Sequence, residues 1–114
     1  MRNNSKYICK NESKVDAFDT LGLAETTELL KMGYVPENGI EHRFTISDLL
    51  KILPTQIEYN DRTYDFHMVA VKFWWEVFYR DFAGNHCPIG ASDRNKLADS
   101  LYEMIMTLKY RKLI

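Results

Sequence analysis

The apolar positions of this chain fall into three runs with different periods. In "DTLGLAETTELLKMGY", Leu29, Leu30 and Met32 precede Gly33, which can take the left-handed conformation that closes a helix, so a short helix is expected over about residues 24–32. In "TISDLLKILP", Leu49, Leu50, Ile52 and Leu53 follow Ser47, a good N-cap residue, and Pro54 cannot continue a helix. A second short helix over 47–53 follows.

From Thr55 the period becomes two. Ile57 and Tyr59, then Tyr64, Phe66 and Met68, then Trp75, Val77 and Tyr79 occupy alternating positions, and "NDRT" supplies turn chemistry between the first two sets. The spacing predicts a three-stranded antiparallel meander. A connection at Lys72 and Phe73 sets a register with Ala70 facing Trp75, Met68 facing Val77 and Phe66 facing Tyr79, and it places Asp65 opposite Arg80 on the reverse face. Two features count against these strands: Lys-Phe lacks the Gly or Asn of tight hairpins, and the simplest pairing of the first two strands sets Glu58 against Asp65. A helix over 66–80 is the competing reading. It is set aside because β-branched and aromatic residues crowd that segment.

"FAGNHCPIGAS" reads as a loop. Beyond it, Leu97, Leu101, Met104, Ile105 and Leu108 form one stripe of a long helix from about Asp93 to Lys109, with Ser92 as its cap. The sheet face of Ile57, Tyr64, Phe66, Met68, Trp75 and Val77 is the partner this stripe requires. The expected fold is therefore α+β: a three-stranded antiparallel meander packed on a long C-terminal helix, with two short N-terminal helices. Residues 1–14 are polar and aperiodic and are expected to form a flexible N-terminal arm, leaving 15–114 as a single α+β domain.

The alternation divides "FWWEVFYR", residues 73–80, which holds five of the chain's fifteen aromatic side chains. Trp75, Val77 and Tyr79 face the helix, whereas Val69, Val71, Trp74 and Phe78 face away from it in company with His67, Glu76 and Arg80. Val69, Trp74, Phe78 and Arg80 are the candidate protein-interaction residues. Either the N-terminal helices fold over this second face, or a protein partner or another copy of the chain does.

Composition adds constraints. With 114 residues, 46% hydrophobic and 27% charged, the chain can bury a core without disulfide or metal staples. Its net charge of -1 supplies no general attraction for phosphate backbones or anionic membranes. The charges are uneven, with basic ends (Arg2, Lys6 and Lys10; Lys109, Arg111 and Lys112) and an acidic stretch over 12–48, a distribution that a solvated tail and an ordinary helix C-terminus explain. No apolar run approaches the roughly 18 residues needed to span a bilayer, so no membrane partner is expected and the location is read as cytoplasmic. Cys9 and Cys87 are read as free thiols of a reducing compartment.

Candidate chemistry is sparse. His42, His67 and His86 have no metal-ligand spacing with one another or with the cysteines, and the dispersed glycines form no phosphate cradle, so neither a metal nor a cofactor is expected. A small enzyme would have to use Cys87, activated by His42 or His67, or Glu58 and Asp65 as a carboxylate pair. A nucleic-acid binder would use Trp74, Phe78 and Arg80 as a stacking platform, but Glu76, Asp65 and Glu58 share that surface and repel phosphates.

The order "FDTLGLAETTELLKMGYVPE", "FTISDLLKILP", "WEVFY" and "LADSLYEMIMTLKYRKLI" resembles a family of small uncharacterised proteins of prophages and mobile elements in gut Bacteroidetes. The resemblance covers about residues 17–114 and is most specific in the closing helix. Ser100 and Leu101 depart from the family's usual small residue. It implies a genomic setting and no catalytic residues, and its matching positions, among them Leu50, Pro54, Trp75, Tyr79, Met104 and Ile105, are those the periodicity assigns to the core. The function expected is that of a non-enzymatic accessory protein of a phage or mobile element, acting through protein–protein binding or self-association.

Overall fold

Two tight reversals set the sheet. Asn60 and Asp61 take positive φ of 53° and 65°, the backbone of a two-residue hairpin turn whose twist suits the flanking strands, and Asn and Asp tolerate it well. That turn joins β1 (Gln56–Tyr59) to β2 (Arg62–Val71). At the far end of β2, Lys72 takes φ 39°, and with Phe73 turns the chain into β3 (Trp74–Arg80). A computed structural model describes residues 20–37 and 43–114; the expected arm over 1–14, Cys9 and His42 lie outside the described residues.

The register between β2 and β3 is the one the alternation requires: Ala70 opposite Trp75, Met68 opposite Val77, Phe66 opposite Tyr79 and Asp65 opposite Arg80. Between β1 and β2 the expectation is corrected. Because the turn is confined to Asn60 and Asp61, Glu58 pairs with Thr63 and Asp65 with Gln56, whose Nε2 donates to the Asp65 carboxylate at 2.8 Å. The two like charges are thereby set on a diagonal.

The sheet also has a fourth strand, β4 (Ser92–Arg94), antiparallel to β3, so its order is β1-β2-β3-β4. Ser92 is thus a strand residue opposite Val77, and the long helix, α3 (Leu97–Tyr110), starts four residues later than Asp93. Its N-cap, Lys96, makes no side-chain cap bond. The junction is fixed by Ser100, whose buried Oγ donates to the Trp75 carbonyl and accepts from the Arg94 amide, both at 2.8 Å.

α3 lays Leu97, Leu101, Met104, Ile105 and Leu108 against Ile57, Tyr64, Phe66, Met68, Trp75, Val77 and Tyr79, all in one core cluster. The Tyr79 ring meets Phe66 edge-on at 5.5 Å, and its hydroxyl donates to the Pro54 carbonyl at 2.8 Å, tying the sheet to the chain just after the second short helix. α1 (Leu23–Lys31) closes at Gly33, where φ is +97° and the amides of Gly33 and Tyr34 reach back to the Leu30 and Leu29 carbonyls. α2 (Ile46–Ile52) starts one residue earlier than the expected 47, and its cap lies two residues before Ser47. Its cap is Thr45, whose hydroxyl and amide exchange hydrogen bonds with Asp48.

Both short helices sit on the α3 side of the sheet. Leu29 of α1 and Leu49 and Leu50 of α2 belong to the core beneath α3, Glu25 of α1 shares a depression with Asp99, Tyr102 and Glu103 of α3, and α2 packs against α3 directly. Neither covers the outer face.

Candidate functional site: the outer face of the sheet

The side chains that alternate away from the core form five rows across the outer face, the outermost being Glu58 with Thr63, followed by four more. Gln56, Asp65 and Arg80 make the next, then come His67 and Phe78, then Val69, Glu76 and Asp93, and last Val71 and Trp74. Phe78 is buried yet stands outside the core cluster, so something other than the core encloses it.

Two imidazoles do so. His67, its cross-strand neighbour on β2, lies parallel to the Phe78 ring with centroids 5.4 Å apart and planes 9° apart. On the opposite side of β3, His86 stacks at 4.5 Å and 10°. Flat rings this close gain contact area and a modest stacking energy, about 0.5–1.5 kcal/mol for aromatic pairs in general.

The loop after β3 puts His86 in place. The Asp81 carboxylate accepts from the Asn85 amide at 2.7 Å and from Asn85 Nδ2 at 3.2 Å, and the Asp81 amide donates to the Asn85 carbonyl at 2.9 Å. Gly84, at φ +94°, lets the chain double back inside that ring of bonds. These amide bonds, led by the backbone of Asn85, with the nearby Arg62 guanidinium hold the Asp81 carboxyl below its usual range. His86 then pairs with Arg80 in a short bridge, and Cys87 donates its amide to the Tyr79 carbonyl at 2.9 Å.

Alternation along this loop sends His86 outward and Cys87 into the core, where the thiol is buried and its pKa is pushed up by that burial. A thiol held protonated is a poor nucleophile. His67 stands on the other face of the sheet, and burial, with the Arg80 charge next and His86 after it, lowers its pKa against the opposing pull of Asp65. Cys87 and His67 are therefore not brought together. Among the described residues no group of three or more His, Cys, Asp or Glu side chains could hold a metal ion, and no helix is long and apolar enough to cross a membrane.

The sequence-derived residues thus have different fates. Val69 and Arg80 are half-buried on the outer face, Phe78 is enclosed by the histidines, and Trp74 keeps 38% of its surface exposed. Its neighbour Trp75 keeps 5%, the contrast that alternation demands. Phe73, in the turn, is 79% exposed, and with Lys72, Trp74, Trp75 and Asn95 it lines an open depression of about 290 Å³. Phe73 and His86 were not legible as site residues: the first was a turn position, and the second depends on a loop closing onto a distant strand. Comparison with models of protein families, with curated proteins and with solved structures found no match.

Proposed function

We propose that this chain is a non-enzymatic binding protein whose partner, another protein or a second copy, docks on the outer face at the Trp74 end. The observation that carries this reading is the exposure of Trp74 and Phe73 side by side at the rim of a sheet whose other face is filled. Aromatic residues concentrate binding energy at interfaces because they bring large, stiff, amphipathic area at low entropic cost. The protonated, core-facing Cys87 and the diagonal placement of Glu58 and Asp65 favour binding over catalysis. An accessory role in a phage or mobile element is the setting that the sequence resemblance suggests.

The test is retention of a partner from a lysate of the cells that carry the gene. A discrete protein should be held by the immobilised chain and by Phe82→Ala, which removes a fully exposed aromatic away from Trp74, and lost by Trp74→Ala. Equal retention by all three would remove the assignment of the surface.

A further inference from the structure

The row next to Trp74 adds a chemical preference. Glu76 and Asp93 stand directly opposite each other on β3 and β4, with Val69 on the other flank of Glu76. Like charges in that position destabilise a sheet. Ion pairs among the described residues join Arg94 to Glu103, Arg62 to Asp81, Lys51 to Glu37 and Lys31 to Glu28, and Arg94, the residue after Asp93, turns to Glu103. None of these pairs includes Glu76 or Asp93. On the same face, Arg80 lies beyond the Phe78 row, where Asp65 is its cross-strand neighbour, and Lys72 sits in the turn.

We infer that the partner presents a basic, apolar segment, with an Arg or Lys side chain laid over Trp74 towards Glu76 and Asp93 and its apolar residues on Val69 and Val71. This rests on the docking reading above and assigns the partner's class. The indole face attracts a cation through its quadrupole, and two carboxylates within one cross-strand row supply the negative charge that pairs with a guanidinium or ammonium. A phosphate-bearing ligand would meet those carboxylates as repulsion. The same pair disfavours acidic partners, so the arrangement selects as well as attracts.

The probe is an acetylated, amidated octapeptide of alternating Leu and Arg, compared with Leu–Gln and Leu–Glu peptides of the same length. Titration follows the Trp74 indole N–H resonance of the full chain, assigned by its loss in Trp74→Phe. The Leu–Arg peptide should shift it saturably, more weakly as salt rises, and Glu76→Gln with Asp93→Asn should weaken binding at least about tenfold while preserving the fold, since both changes keep side-chain shape. Equal affinity for the Leu–Gln peptide, an unchanged affinity in the double variant, or no shift with any peptide would overturn the inference. A response to the Leu–Glu peptide sinks the charge assignment and leaves the surface standing, whereas the surface itself falls only if Trp74→Ala retains the partner as the wild type does.

Discussion

At His67 two opposing effects can be weighed. Stacking on Phe78 would favour an imidazolium by about 0.5–1 kcal/mol if it acted as an exposed cation–π pair, but the ring is partly buried and faces the Arg80 guanidinium and His86. Burial wins, and the folded-state pKa lies below the ordinary 6.5. Between those two values the unfolded chain binds more protons than the folded one, so stability is full above about pH 6.5 and declines as pH falls through the window, levelling off below the folded pKa. The urea midpoint of the wild type should therefore drop more between about pH 7.5 and 5.5 than that of His67→Gln. A larger drop in the variant would mean that the cation–π attraction had prevailed.

The elements show where local chemistry decides and where it does not. In α2 two candidate caps lie two residues apart, Thr45 and Ser47, and only Thr45 has Asp48 three residues on to complete the reciprocal bonds. Ser47 is exposed. Thr45→Ala should cost about 1–2 kcal/mol in urea unfolding and Ser47→Ala within about 0.5 kcal/mol of nothing. At α3 the same rule chosen from sequence pointed to Ser92, and tertiary structure overrode it. Ser92 is claimed by β3, because three residues of strand pairing satisfy more backbone groups than one cap.

For the whole molecule, one layer of helices and one sheet enclose a single cluster that includes Cys87. With the thiol 2% exposed and its pKa raised, a disulfide reagent can reach it only when the fold opens. In a Cys9→Ser chain, labelling of Cys87 should be slower than that of a free thiol by on the order of a thousandfold or more and should accelerate as urea approaches the midpoint. Rapid native labelling would mean that the loop from Asp81 to Cys87 opens locally, releasing His86 from Phe78 as it does so.

Alternation with the turn at Lys72 and Phe73 determined the β2–β3 register, the burial of Trp75 and the outward direction of Trp74, because a period of two leaves a side chain only two directions and one of them held the matching apolar stripe of α3. The closing glycine of α1 and the stop at Pro54 were equally local. What only the tertiary structure decided was the company each face keeps: β4 beside β3, both short helices on the α3 side, and a loop folded so that His86 lies on Phe78. Those placements join residues far apart in the chain, and their energy exists only once the intervening segment has closed, so no window of sequence contains it.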